Sequence, residues 1–139
     1  MDTRKLINAA MTARENSYAP YSGYRVGAAL LCGNDQIVCG CNIENASYGA
    51  TVCAERVAVF SAVASGIKEF KAIAIAGGAD EEKDILSDHA YPCGMCRQVL
   101  REFADPETFK VYVARSLDDY EEYTLEELFP KSFGPDNLK

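Results

Sequence analysis

The 139-residue sequence lacks any long apolar run. No stretch approaches the ~20 consecutive apolar residues that a membrane-spanning helix needs. The first 16 residues, MDTRKLINAAMTAREN, also lack the uninterrupted apolar core of a signal peptide. We therefore expect no membrane partner and a cytoplasmic location, where thiols are kept reduced.

Internal repeats, low-complexity tracts and linker-like segments are absent as well. A chain of this length fits one domain and is long enough to bury a hydrophobic core. With 48% hydrophobic and 25% charged residues, the composition is ordinary for a globular protein. We therefore expect a single domain over residues 1–139.

Positive charge is scarce. Fourteen Lys and Arg stand against 21 Asp and Glu, which gives a net charge of −7, and no basic stripe interrupts the acidic surplus. Such a surface repels phosphate backbones, so we expect no nucleic-acid partner. The same charge is also what simple solubility requires.

Hydrophobic patterning predicts the element order α-β-β-α-β-α-β-β-α. A first amphipathic helix covers residues 2–16, a hairpin covers 25–43, and Gly66 ends a helix over 53–65. A third strand, FKAIAIAGG, is followed by a helix that we expect to begin at Pro92. About five residues join the last two strands, FKVYVAR and YEEYT, so these should pair antiparallel. The fold class is α/β, a three-layer α-β-α arrangement with a mixed five-stranded sheet.

The cysteines divide into two groups. Cys93 and Cys96 lie three residues apart at a predicted helix start, where two sulfurs reach one tetrahedral ion, although a C-x-x-C pair equally suits a redox role. Cys53, at another helix start, makes a third sulfur, and three sulfurs with an open fourth position describe a catalytic zinc site. We expect the others, Cys32, Cys39 and Cys41, to be small hydrophobes. The C-x-C spacing of Cys39 and Cys41 leaves them as a rival ligand pair.

Two charged residues follow Cys53 in the segment TVCAERVAVF. Glu55 lies about 200° around a helix from Cys53, so it is poorly placed to bind the same ion and better placed to reach a water in the open position. Arg56 returns to the side of Cys53 and can offset the charge of a zinc with three thiolates. Each residue alone is also typical of an ordinary helix start.

The segments CAER and PCGMCRQ together resemble the zinc-dependent nucleobase deaminases, with Cys53 where some relatives have histidine. The segments YAPYSGYRVGAALL, GCNIENASYGAT and LEELFPKSFGP resemble the small homotetrameric cytidine deaminases, and the resemblance extends over nearly the whole chain. It implies a cytidine deaminase-like fold. It also implies hydrolysis of cytidine and deoxycytidine to uridine, deoxyuridine and ammonia in pyrimidine salvage, by attack of a zinc-activated hydroxide on C4.

The resemblance also implies a role for particular residues. One zinc per chain would be held by Cys53, Cys93 and Cys96, with Glu55 as the proton shuttle and Arg56 behind the cysteines. A pyrimidine nucleoside would be bound by the ribose-binding side chains of Asn42 and Glu44, by the backbones of Ala54 and Tyr91, and by the aromatic rings of Tyr24, Tyr48 and Phe133. Of these, Tyr48 and Phe133 would reach into the site of a neighbouring subunit of a homotetramer.

Three positions depart from the pattern of that family. Tyr24 replaces a phenylalanine, Tyr91 replaces a small Ser or Thr, and Met95 replaces a small residue between two ligands. The loop at 79–91 is long, and its His89, the single histidine, is expected to be solvated rather than a further ligand. Three alternatives stay open: a deaminase of a different base or modified nucleoside, a nucleic-acid editor, and a structural zinc or thiol-redox module that would not need Glu55.

Overall fold

The computed structural model describes all 139 residues, and their order of helices and strands is the predicted one. Short 3-10 turns occupy Arg14–Asn16, Tyr48–Ala50 and Pro135–Leu138. The main elements, in chain order, are α1 (Thr3–Ala13), β1 (Tyr24–Cys32), β2 (Ile37–Cys41), α2 (Ala54–Ala64), β3 (Phe70–Ala79), α3 (Gly94–Phe103), β4 (Lys110–Ala114), β5 (Tyr120–Thr124) and α4 (Leu125–Leu128).

The five strands form one mixed sheet in the order β2-β1-β3-β4-β5. Only β3 and β4 are parallel, and α3 is the crossover between them. β4 and β5 pair antiparallel, with Val111 opposite Tyr123, as the short connection predicted.

The alternation in β3 separates the two hydrophobic cores. Ile73 and Ile75 lie in the larger core, together with buried residues of α2 and α3. The intervening Ala72, Ala74 and Ala76 lie in the smaller core under α1. Because side chains alternate across a strand, one sequence serves both faces of the sheet, and the three-layer α-β-α prediction is confirmed. None of the helices has the length and apolar character that crossing a membrane requires.

The two helices with predicted zinc ligands both begin immediately after a cysteine. Cys53 precedes the first residue of α2 and Cys93 that of α3, and both have extended backbones. The prediction that α3 begins at Pro92 is wrong by two residues. The first hydrogen bond of the helix runs from the Arg97 N–H to the Cys93 carbonyl, at 3.0 Å, so Pro92 lies outside it.

Gly40 allows the start of α2 to lie directly on the sheet. A Cβ atom at this position would be 2.5 Å from the Ala54 carbonyl oxygen and 2.5 Å from the Ala58 nitrogen. Both neighbours are helix backbone, which cannot rotate away as a side chain can. The position of the Cys53 end of α2 therefore depends on the missing side chain at residue 40.

Replacing Gly40 by alanine should push α2 off the sheet and destabilise the protein. Overpacking typically costs about 1–3 kcal/mol, and a backbone obstacle favours the upper part of that range. The measurement is the free energy of unfolding from urea denaturation, with Gly49→Ala as the matched control, because nothing lies within 4 Å of a Cβ at Gly49. Equal stability of the two variants would contradict this account of the Gly40 contact.

Candidate metal centre and adjoining pocket

The starts of α2 and α3 bring three thiols together. The Cys53 and Cys93 sulfurs are 3.8 Å apart, those of Cys93 and Cys96 are 3.4 Å apart, and all three lie within 4.8 Å of one another. Tetrahedral coordination with Zn–S bonds of about 2.3 Å requires sulfur separations of about 3.8 Å. The three side chains therefore fit a zinc ion with small adjustments and leave one coordination position open.

The three thiols do not ionise independently. The pKa of Cys53 falls to about 5, chiefly because Cys96 donates a hydrogen bond to it, with Arg56 contributing further. The pKa of Cys96 rises, because its proton is shared with Cys53 and because the residue is buried. One sulfur thus becomes a thiolate readily while its neighbour keeps its proton, so a bound cation is needed to hold three thiolates together.

Arg56 contacts this cluster directly. Its Nη2 donates to the Cys53 sulfur at 3.4 Å, one helical turn along α2. Its Nε is buried and has no hydrogen-bond partner among the protein atoms. The guanidinium therefore offers positive charge to the sulfurs, as the spacing of the two residues predicted.

Glu55 is buried in the first turn of α2. Only 4% of the residue is exposed, and burial raises the pKa of its carboxyl to about 7. A carboxyl group with that pKa both accepts and releases a proton near neutral pH. Such burial of an acid without an ion-pair partner is unusual, and it marks Glu55 as a candidate for proton transfer.

A pocket of about 340 Å³ opens in front of these residues and is of a size to hold a small ligand. Four predicted binding residues line it, namely Tyr24, Asn42, Ala54 and Tyr91, beside Cys53, Glu55 and Cys93. Its remaining walls were not predicted, because single apolar residues in strands and loops carry no distinguishing sequence signal. They are formed by Val26, Thr51, Val52 and Ala90.

Asn42 and Glu44 are already bound to the protein itself. The Asn42 amide accepts from the Val26 N–H at 2.9 Å and donates to the Tyr24 carbonyl at 2.8 Å, which leaves one N–H and one lone pair free. Glu44 accepts from the backbone of Tyr21 and from the backbone and hydroxyl of Ser22. The Ser22 hydroxyl is the main cause of the lowered pKa of Glu44. Both side chains are therefore held in fixed orientations.

Two predicted aromatic residues lie outside the pocket of their own chain. Tyr48 is 77% exposed and rests edge-on against Tyr21, with ring centroids 6.2 Å apart. Phe133 is 58% exposed and lies in the C-terminal segment after α4. Neither ring contributes to the pocket walls of a single chain.

The long loop at 79–91 is anchored at both ends. At its start, the buried Arg14 guanidinium donates to the carbonyls of Gly78, Ala79 and Glu82. At its end, the Tyr91 hydroxyl is hydrogen-bonded to Glu121 of β5, which also accepts from Tyr123 at 2.8 Å. These contacts fix the loop where it forms the pocket wall.

The expectation that His89 is solvated is wrong. Its side chain is only 21% exposed, its ring stacks on Tyr91 at 6.2 Å, and its Nε2 is buried without a hydrogen-bond partner. The anchored end of the loop draws the imidazole against the tyrosine. It is not among the residues whose ligand atoms cluster around the sulfurs.

The other cysteines lie away from the three-sulfur cluster. Cys32 is buried, as a small hydrophobe would be, whereas Cys41 is half-buried and Cys39 is exposed. A larger cavity of about 800 Å³ lies between α1 and the 79–91 loop, but its lining mixes acids and bases and contains no cysteine. The chemistry of the three sulfurs therefore belongs to the smaller pocket.

Comparison with known proteins agrees with this geometry. Residues 1–113 match the family model described as the cytidine and deoxycytidylate deaminase zinc-binding region. The chain belongs to this family. The cytidine deaminase of Sporosarcina psychrophila is 45% identical over 99% of the chain and 96% of its own length. That of Halalkalibacterium halodurans is 44% identical over 99% and 98%.

Solved structures of deaminases in this family share the fold. The cytidine deaminase of Burkholderia pseudomallei superposes with a TM-score of 0.85 at 43% identity, covering 96% of this chain and all of the other. The Mycobacterium tuberculosis cytidine deaminase gives a TM-score of 0.80 at 34% identity, covering 96% and 98%. The three-layer fold and the three-cysteine cluster thus occur in a chain of the zinc-binding deaminase family.

Arg56→Gln should weaken zinc binding while leaving the three sulfurs in place. Loss of the guanidinium removes a cation from a cluster of negative sulfurs, and changes behind metal ligands typically cost about 10–100-fold in metal affinity. Arg56→Lys keeps the charge without the planar donors, so its zinc affinity should lie between those of the parent and of Arg56→Gln. Competition with a chelator of known affinity measures the series, and identical zinc affinity in all three proteins would rule out charge compensation by Arg56.

Proposed function

We propose that this protein hydrolyses cytidine and deoxycytidine to uridine and deoxyuridine, with release of ammonia. The observation that carries the proposal is a cluster of three sulfurs, all within 4.8 Å of one another, at a pocket that Cys53, Cys93 and the buried Glu55 line. The names of the relatives support it, since those of Sporosarcina psychrophila and Halalkalibacterium halodurans are both cytidine deaminases.

A zinc ion held by Cys53, Cys93 and Cys96 supplies, when bound, the activation that makes water a nucleophile near neutral pH. Glu55 lies on the same pocket wall as Cys53 and Cys93. Its carboxyl takes one proton from the attacking water and passes it to N3 of the pyrimidine. It then takes the second proton from the new C4 hydroxyl and passes it to the amine, which leaves as ammonia. Burial raises the pKa of this carboxyl above its ordinary value, which favours its holding the proton between transfers.

The pocket walls supply the complementary surface for the substrate. Val26, Val52 and Ala90, which line the pocket, offer apolar contacts to a pyrimidine ring. The backbone of Ala54, at the start of α2, binds the carbonyl group of the pyrimidine. The Tyr91 carbonyl accepts from the amine, and Asn42 and Glu44 bind the sugar hydroxyls through the hydrogen-bonding capacity that their own contacts leave free. Tyr24 lines the same pocket.

We also propose a cytoplasmic homotetramer in which each pocket is completed by a neighbouring subunit. A single chain leaves the Phe133 and Tyr48 rings 58% and 77% exposed, outside its own pocket. Large exposed aromatic side chains are typical of protein interfaces. In the assembly, Phe133 stacks on the pyrimidine bound in the adjacent subunit and Tyr48 reaches the same site.

Glu55→Gln should abolish most of the turnover and keep the metal. The amide preserves shape but takes no proton, and loss of general acid–base catalysis costs about 10²–10⁴-fold in kcat. Cys53→Ala is the companion variant and should lose zinc and activity together. The measurements are zinc content, binding of a nucleoside by calorimetry, and the fall in ultraviolet absorbance of cytidine.

Three results would contradict this mechanism. Turnover by Glu55→Gln near the parent rate would show that the carboxyl is not the proton shuttle. Loss of zinc from Glu55→Gln to the same extent as from Cys53→Ala would instead make Glu55 a ligand. An inactive parent protein that retains one zinc per chain would favour a structural zinc module.

Phe133→Ala should raise KM without reducing kcat in proportion. Base–aromatic stacking is worth about 1–3 kcal/mol, which corresponds to roughly 5- to 150-fold in binding. Sedimentation velocity at the assay concentration gives the oligomeric state of the parent and of the variant. A fully active, strictly monomeric parent protein would refute the shared site.

A further inference from the structure

The segment that carries Phe133 is tied to α3, the helix that holds two of the sulfurs. We call residues 129–139 the C-terminal arm. Its entry is held by Arg97, whose Nη1 donates to the Leu128 carbonyl and whose Nε donates to the Pro92 carbonyl at 2.7 Å. One side chain therefore contacts both the residue before Cys93 and the residue before the arm.

Gln98 binds Phe133 itself. The Gln98 Nε2 donates to the Phe133 carbonyl oxygen at 2.9 Å. The backbone of Phe133 is thus pinned to α3 while its ring is 58% exposed. Because the backbone of Phe133 is fixed and its ring is exposed, the ring is available to contact another molecule or subunit.

Arg101 contacts the arm on both sides of Phe133. Its Nε donates to the Ser132 hydroxyl at 2.9 Å, and its Nη2 donates to the Asp136 carboxylate at 2.7 Å. The Arg101 side chain is only 11% exposed, so the arm covers it. Both contacts are charge-assisted or partly desolvated, the circumstances in which hydrogen bonds contribute most.

Gly134 shows how closely the arm fits. A Cβ at this position would overlap the Cζ and Nη1 atoms of the Arg101 guanidinium. Its φ of −151° is extended and open to any residue, so the only effect of a Cβ here is to displace the Arg101 guanidinium. The residue next to Phe133 is therefore shaped to receive Arg101.

We propose that Gln98 and Arg101 are positioning residues that order the C-terminal arm before substrate binds. Phe133 then contacts the pyrimidine in a neighbouring subunit without a loss of conformational entropy on binding. The proposal rests on the function and assembly proposed above. Ordering a free segment at the moment of binding weakens affinity, and prior ordering removes that loss. The effect should therefore appear in KM, with the chemistry at Glu55 unaffected.

The test uses the zinc-loaded oligomer with three single variants, namely Gln98→Ala, Arg101→Gln and Gly134→Ala. Arg4→Gln is the matched control, because Arg4 also pairs with an aspartate distant in sequence, Asp118, but lies outside the arm. Hydrogen–deuterium exchange of residues 129–139 reports the order of the arm independently of activity. Zinc content and the separate values of kcat and KM complete the measurement.

Each arm variant should exchange faster over 129–139 than the parent and keep one zinc per chain. KM should rise by up to the factor seen for Phe133→Ala, roughly 5- to 150-fold, with kcat largely retained. Gly134→Ala displaces the Arg101 guanidinium without changing its chemistry. The double variant of Gly134→Ala and Arg101→Gln should therefore have nearly the same KM and exchange rate as each single variant. Arg101→Gln should likewise add little to Phe133→Ala, because both act through the same ring.

Unchanged exchange of the arm in Arg101→Gln and Gly134→Ala would overturn the proposal. A second result would also overturn it, provided that Phe133→Ala raises KM. That result is faster exchange of the C-terminal arm in the arm variants with KM at the parent value. A Phe133→Ala variant with the parent KM would overturn both this proposal and the shared site. Full additivity of Arg101→Gln and Phe133→Ala would show that Arg101 acts on something other than the ring.

Discussion

Repulsion among three sulfurs packed within 4.8 Å is the constraint on which the rest of the site depends. Two unit charges 4 Å apart repel by about 4 kcal/mol at an effective dielectric constant of 20, so three thiolates without a cation are strongly disfavoured. The low pKa of Cys53 and the raised pKa of Cys96 express this as unequal sharing of protons. A divalent ion, Arg56 and the starts of two helices together relieve the repulsion.

Because the three sulfurs repel one another, the backbone must hold them in place. Both helix starts must be held at one place, although the segments that lead to them differ in length and conformation. Gly40 allows α2 to rest on the sheet, and Arg97 ties the residue before Cys93 to the residue before the C-terminal arm. The metal ligands are therefore placed by contacts from strand, helix and tail that are far apart in the sequence.

Much of this architecture could be predicted, because it depends on local rules. The apolar segment FKAIAIAGG indicated β3, and the short link between β4 and β5 indicated their antiparallel pairing. The predicted start of α3 was wrong because proline is common at a first helical position, whereas here Cys93 caps the helix and Gly94 begins it.

What escaped prediction depends on partners distant in sequence. His89 was expected to be solvated because it is a polar residue in a loop. The neighbouring sequence does not indicate that Tyr91 stacks on it or that Glu121 binds this tyrosine. Asn42 and Glu44 were recognised by their motif, but their contacts with Val26, Tyr24 and Ser22 follow from tertiary packing. Local sequence rules carry no information on such pairings.

The anchoring of the 79–91 loop at Arg14 and at Glu121 has a consequence for variation in chain length. A segment fixed at both ends transmits little of a change at its centre to the residues that follow. The entropy of closing a loop grows only with the logarithm of its length, so residues added at the exposed positions 83–85 cost little. These positions, which precede the buried Leu86, are therefore a place where the chain tolerates insertion while Cys93 stays beside Cys53.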